Sequence, residues 1–319
     1  MVINAKASIV LLTKNAGPLL REVLDGVFAQ AGDFEVIVID SGSTDATLDI
    51  SRGYPVRLIS IPPEEFDHGV TRNLGASNAS QVSKYIVFLS QDAVPMSGWL
   101  EALVAPMEAD TQVAGVFSRQ VPREGGNPIL KRYMTQEWEQ CGGGTRIIKQ
   151  IMDEGDYRAR TGWYSAFSNT SSAVLRDVFI KIPFKQTDFA EDRQWAQDVL
   201  EAGYKIVYEP ASAVVHSHDY TLVEQFRQNF DGSTANSGGG VSGTRSCMRS
   251  FFRLPVKLFK DAAFILGEDM SFLEKLKWIL YLPFWHAATL SGALLGRKKD
   301  RLPGWLVRNL SRQSRLKEA

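Results

Sequence analysis

The 319-residue sequence predicts an α/β fold: a mostly parallel sheet flanked by helices, followed by a C-terminal helical extension. Three observations carry this. Short β-branched runs alternate with helical patterns through the first half, as in a sheet covered on both faces. Two of those runs end in acidic turns, at Asp40 and Asp92. After Gly238-Gly239-Gly240 the composition shifts to long apolar helices, so the chain divides into 1–235 and 236–319.

Residues 8–12 read as the first strand, and Gly17-Pro18 opens a helix with Leu20, Val23, Leu24 and Val27 at helical spacing. The next strand, 34–39, ends at Asp40-Ser41-Gly42-Ser43-Thr44-Asp45, whose hydroxyls can cap a following helix. Residues 56–59 form a third strand, before the polar stretch Phe66-Asp67-His68-Gly69-Val70-Thr71-Arg72-Asn73. An apolar strand over 85–89 ends at Ser90-Gln91-Asp92; a helix restarts at Ser97-Gly98-Trp99, and 113–117 supplies a further strand.

From 119 to 161 the pattern breaks up around glycines and scattered aromatics, and is expected to be a binding element or lid. Extended structure returns over 167–175. A helix begins at Glu191-Asp192 and stops at Gly203, a strand follows over 204–208, and Val214-Val215-His216-Ser217-His218 brings in two histidines.

Thirty-six basic residues balance thirty-six acidic ones, which excludes a chain-wide basic field for nucleic acid. Cys141 and Cys247 lie far apart without CxxC spacing, so neither a zinc cluster nor a disulfide framework is expected, and a reduced, cytoplasmic setting is. The apolar run after Lys6 is too short for a signal peptide.

Asp40 and Asp92 sit just past strand ends, where open α/β sheets place their ligand crevice. There is no GxGxxG and no GxxxxGK[ST], so a bound nucleotide needs another phosphate grip. A divalent cation held by Asp92 and a histidine would serve, although a strand-end aspartate reads equally as a helix cap. His216 and His218 point to one side if extended, as ligands or as a solvated edge. Glu191 and Asp192 diverge by about 100° on a helix, which suits one general base with an orienting neighbour; acids favourable to a helix start are the plainer reading. Arg72 follows His68 by four residues and could reach a nucleotide, or be an ordinary surface arginine.

Together these motifs resemble the inverting glycosyltransferases of family 2, with the GT-A fold, and among them the bacterial rhamnosyltransferase-like group. The resemblance covers roughly residues 7–235. It rests on Val38-Ile39-Asp40-Ser41-Gly42-Ser43-Thr44-Asp45, Phe66-Asp67-His68-Gly69, Thr71-Arg72-Asn73, Leu89-Ser90-Gln91-Asp92-Ala93-Val94-Pro95 and Glu191-Asp192. It implies that 1–235 is the nucleotide-sugar-binding and catalytic domain. Asp40 would bind the base of the donor, with Ser41, His68, Arg72 and Gln91 around it, and Asp92 would hold the diphosphate through Mg²⁺ or Mn²⁺. Asp192 would be the catalytic base and Glu191 its supporting neighbour. The first aspartate of the usual DxD is Ser90 here, which gives His216 or His218 more weight as a metal ligand and moves the donor towards dTDP-L-rhamnose. The acceptor would be a saccharide, lipid-linked or free, with Trp138 or Trp163 stacking on a sugar face. A metal-dependent nucleotidyltransferase, or a non-catalytic sugar-nucleotide-binding or scaffolding subunit, is the alternative.

Residues 278–296 carry no charge, and 297–319 hold eight basic residues against two acidic. The extension is therefore expected to lie on an anionic membrane surface, the inner face of the plasma membrane, with Trp278, Tyr281 and Trp285 at the headgroups, or to bury a homodimer interface.

Overall fold

The computed structural model describes residues 6–140, 143–187, 190–235 and 253–311. It divides into two compact units: Met1–Arg123 with Glu137–His216, and Glu124–Gln136 with Ser217–Ala319. The expected boundary at 235/236 borders residues outside the described ones.

The first unit holds the sheet. Its strands are β1 (Ala7–Thr13), β2 (Phe34–Asp40), β3 (Arg57–Ser60), β4 (Tyr85–Ser90), β5 (Val94–Pro95), β6 (Val113–Val121), β7 (Ile147–Lys149), β8 (Ser171–Leu175) and β9 (Lys205–Val215). Their order is β3-β2-β1-β4-β8-β6-β9-β5, with β7 on β9. The β3-β2-β1-β4 half is parallel; β8 runs antiparallel to both β4 and β6, so the sheet is mixed. This reversal brings the start of β8 to the same edge as the ends of β1, β2 and β4. Ser90 N–H donates to Thr170 O there at 2.9 Å.

Alternation along the strands sends side chains to two cores. Ile9 and Leu11 face α1 (Leu19–Phe28) and α4 (Trp99–Ala109), against Leu20, Leu24, Trp99 and Leu103. Val10 and Phe88 face the opposite layer, with Phe179 of α7 (Arg176–Lys181) and Trp195 of α8 (Glu191–Glu201). Helix α3 (His68–Ser77) lies so close to β1 that a Cβ at Gly75 would fall 2.3 Å from Val10 Cγ1. Only a residue without a side chain permits that approach.

The stretch expected to be irregular instead carries α5 (Pro128–Gln140), β7 and α6 (Glu154–Tyr164). Gly125, Gly126, Gly143 and Gly144 lie between elements, and Tyr157 is buried, meeting Tyr164 edge to face. Short α2 (Thr47–Arg52) follows the β2 turn.

The second unit is helical, with α9 (Leu222–Ala235), α10 (Leu254–Gly267), α11 (Phe272–Gly296) and α12 (Gly304–Leu310). Ile129, Ile265, Leu282 and Trp285 form its core. Trp285 is 6% exposed and stacks on Tyr133, and Trp278 and Tyr281 pack against the same cluster. The expectation that Trp285 reaches headgroups is therefore corrected, since the core claims it, while Trp278 and Tyr281 are only partly buried.

Candidate functional site

The rim formed by the ends of β1, β2, β4 and β6 and the start of β8 gathers most of the predicted residues. At the β2 turn, Asp40 is 1% exposed. One carboxylate oxygen accepts from Thr13 Oγ1 at 3.1 Å and from Ser43 Oγ; the other accepts from Gly42 and Ser43 N–H at 3.0 and 2.9 Å. Gly42 has φ +82° and backs onto Pro63, which a Cβ would strike at 2.6 Å. Ser41 is buried and donates its N–H to Thr13 O at 2.9 Å. Asp40 thus organises the turn through four donors of its own chain, and the turn in turn meets the β1 exit, where Asn15 N–H donates to Ser43 Oγ at 2.8 Å.

Gln91 imitates a strand partner. Its Oε1 accepts from Lys14 N–H at 2.8 Å and its Nε2 donates to Lys14 O at 3.2 Å, which ties the β4 exit to the β1 exit. Its neighbour Asp92 faces β9: Asp92 Oδ1 lies 3.4 Å from His216 Nε2. The other ring nitrogen, Nδ1, is 2.9 Å from Gln120 Oε1, while Gln120 Nε2 donates to Ser168 Oγ at 3.2 Å. Gln120 thus holds the His216 ring from its Nδ1 side and leaves Nε2 turned towards Asp92.

An oxygen and a nitrogen donor at that separation fit one small divalent ion, since adjacent ligands at ~2.1 Å lie roughly 3 Å apart. A carboxylate with a neutral imidazole is also a donor set that Mg²⁺ or Mn²⁺ accepts. His218 follows two residues on, at the start of the second unit, where its ring stacks on Tyr220.

The acidic pair lies on the same rim. Asn169 N–H, one residue before Thr170, donates to Asp192 Oδ2 at 3.1 Å, and Arg193 N–H donates to Oδ1 at 2.8 Å. Glu191 is 7% exposed; its Oε1 accepts from Arg72 at 2.6 Å and from Asn169 Nδ2 at 3.2 Å. Arg72 also donates to His68 O at 3.2 Å, and His68 meets Phe66 edge to face. Ala190, just before α8, is held at φ +63°, a strained conformation for a residue with a side chain.

This arrangement pushes the two carboxyls apart. Burial raises Asp192, and the negative Glu191 beside it adds to that, up to about 6. Burial alone would raise Glu191 too, but the positive Arg72 and then His68 hold it below the usual carboxylate range. Two adjacent acids with divergent proton affinities can do different work, one exchanging a proton near neutral pH while the other stays ionised and anchored.

A chain of contacts connects the two halves of the rim: Asp92 to His216, His216 to Gln120, Gln120 to Ser168, then one peptide unit to Asn169, whose N–H reaches Asp192. Asp92 and Asp192 therefore belong to one connected network at this edge of the sheet. Gln120, Ser168 and Asn169 escaped the sequence reading. No spacing signal marks them, because their partners are distant in sequence.

Trp163 is half-buried, with the Arg160 guanidinium 4.4 Å from its ring centroid and Lys149 Nζ at 5.2 Å. The Trp138 side chain lies outside the described residues.

The model of the family described as Glycosyl transferase family 2 matches residues 8–182. Among curated proteins, the O-antigen chain rhamnosyltransferase WbaN of Salmonella anatum is 35% identical over 200 residues, 62% of this chain and 61% of its own length. The O-antigen chain rhamnosyltransferase RfbN of Salmonella typhimurium is 31% identical over 230 residues, 71% of each chain. The chain thus spans less than two thirds of WbaN. Among solved structures, the mannosyltransferase PcManGT of Pyrobaculum calidifontis, in complex with GDP-Man and Mn²⁺, has a TM-score of 0.57 at 19% identity, covering 96% of this chain and 87% of its own. S. aureus TarS 1–349 has a TM-score of 0.52 at 16% identity, covering 94% and 76%. These two likenesses concern the fold, which is the GT-A type expected from the sequence.

Proposed function

Since the chain belongs to glycosyl transferase family 2, we propose that it is an inverting, metal-dependent enzyme that moves L-rhamnose from dTDP-L-rhamnose onto a saccharide acceptor, lipid-linked or free. That it is a glycosyltransferase follows from the family and the two Salmonella relatives. The donor is argued from the names of those relatives and from the serine-containing Ser90-Gln91-Asp92 motif. Family and relatives also favour sugar transfer over nucleotidyl transfer or a non-catalytic role.

The observation that carries the mechanism is the contrast between Asp192 and Glu191. A carboxyl raised to about 6 is still ionised at neutral pH, yet is basic enough to accept a proton in the transition state. Asp192 takes the proton of an acceptor hydroxyl. The oxygen attacks the anomeric carbon from the face opposite the nucleotide; a new C–O bond forms as the bond to the diphosphate breaks, and the configuration inverts. Asn169 and Arg193 N–H aim the carboxylate. Glu191, already held by Arg72, keeps that position fixed.

Asp92, His216 and His218 are proposed to hold Mg²⁺ or Mn²⁺; when bound, such an ion neutralises charge on the departing diphosphate. Support comes from the donor pair Asp92/His216 and from the Mn²⁺ in the mannosyltransferase of the same fold. Asp40, Ser41, His68 and Gln91 are proposed to shape the nucleotide end of the crevice, with Arg72 acting on it through Glu191, and Trp138 and Trp163 to serve the acceptor.

A donor panel tests this. The purified chain is titrated with dTDP-L-rhamnose, UDP-GlcNAc and GDP-mannose, with and without Mn²⁺, and binding and donor turnover are measured. Preference for the dTDP sugar, dependent on the ion, is expected. Equal or better use of another donor would refute the sugar assignment.

A further inference from the structure

Helix α11 is turned the wrong way round for a soluble protein. At about 100° per residue, Phe272, Leu273, Leu276, Leu280, Phe284 and Leu294 fall within an arc of about 120°. All six are exposed, from 42% for Leu276 to 76% for Phe272. The opposite side is packed. Gly292 and Gly296, one turn apart, lie against α9, where added Cβ atoms would fall 2.2 Å from Phe226 O and 2.1 Å from Phe230 O. Small residues at this spacing let two helices touch along their backbones. The outward arc is thus a fixed consequence of the inward one. It continues on α10, where Phe259 is 75% exposed.

We propose that this face docks the protein onto the surface of a bilayer carrying anionic headgroups. By length and composition α11 could cross a membrane. Its α9-facing side and the buried Asp261–His286 contact at 2.6 Å argue instead for a helix lying in the interfacial plane, with only its outward arc among the acyl chains.

Charge selects lipid over a second copy of the chain. Residues 253–311 contain ten Lys and Arg against five Asp and Glu. Of the cations, Lys260 adjoins Phe259, Lys277 edges the α11 arc, and Arg297 and Lys298 follow the helix, all exposed. Two copies paired about a two-fold axis would set this positive rim against itself, whereas anionic headgroups complement it. Trp305, 60% exposed beside Arg308, adds an aromatic of the kind that sits at headgroup level.

The test uses the full chain with vesicles of phosphatidylcholine alone or mixed with phosphatidylglycerol, scored by flotation, with light scattering for mass and circular dichroism for folding. Wild type should float with the anionic vesicles. Leu276→Glu/Leu280→Glu should lower the bound fraction at least about tenfold while keeping its helicity and mass. Lys260→Glu/Lys277→Glu, which leaves the apolar arc intact, should abolish the preference for phosphatidylglycerol. Three results would overturn the proposal: wild type that ignores anionic vesicles, a leucine variant that binds them as well as wild type, or one whose only change is conversion from dimer to monomer. None of these readouts needs turnover, so failure here leaves the transfer reading untouched.

Discussion

Arg72 and Glu191, separated by 119 residues in sequence, form an ion pair at 2.6 Å with both side chains about nine-tenths buried. The pair joins α3 to the start of α8 and leaves the adjacent Asp192 as the carboxyl with a raised proton affinity. Removing one partner of a buried pair strands a charge, at a cost of about 3–5 kcal/mol. Arg72→Met should therefore lower the denaturant midpoint sharply, and Arg72→Met/Glu191→Gln should regain much of the loss. Equal destabilisation in both variants would deny the pairing its structural weight.

The transfer rate should rise with pH through about 6 and level off above it. In its proposed role Asp192 acts deprotonated, and burial, then Glu191, holds its carboxyl up at that value. Replacing Glu191 by Gln removes the second of these influences, so the acidic limb should move to lower pH. Rate–pH profiles of the two proteins would show this; an unmoved limb would assign it to another group.

Asp192→Asn should keep donor binding within a few-fold and reduce transfer at least about 100-fold, the low end for a positioned base. Donor titration beside initial rates separates the two effects.

Gln120→Leu should weaken Mn²⁺ binding about 10- to 100-fold, the range seen when a partner that orients a metal-bound histidine is lost. The ring would lose the side chain that orients it, 2.9 Å away. Electron paramagnetic resonance titration of free Mn²⁺ reads this directly, and excess Mn²⁺ should restore much of the transfer rate.

Gly292→Val should destabilise the helical unit, because the α9 backbone at Phe226 leaves no space even for a Cβ. Limited proteolysis should then cut α9–α11 before the sheet unit. Substitution at Gly267, whose Cβ would meet nothing within 4 Å, serves as the control.

How far the residues alone led can be judged element by element. The parallel half was legible because period-2 alternation and turn residues are local: β1, β2 and β4 appear where the β-branched runs are. The turn at Asp40 and the acidic start of α8 were legible for the same reason. Two-residue β5 and three-residue β7 were not, since so short a pairing is stabilised by β9 and leaves no pattern of its own. Helices α5 and α6 were masked by surrounding glycines, and their aromatics, expected at an acceptor surface, belong partly to the core.

By itself the sequence determined which residues are candidates for the chemistry, Asp92, His216, His218, Glu191 and Asp192, because chemistry resides in residue types and in motifs read along the chain. Only the tertiary structure decided that Glu191 is tied to Arg72 while Asp192 has the raised proton affinity, and that His216 lies against both Asp92 and Gln120. Those outcomes depend on partners far along the chain: Arg72, Asn169, Ser168 and Gln120 are brought to one rim by the reversal of β8 between β4 and β6. The same holds for the apolar arc of α11, since hydrophobic residues in a sequence carry no label saying which side will be packed until the backbone of α9 closes on Gly292 and Gly296.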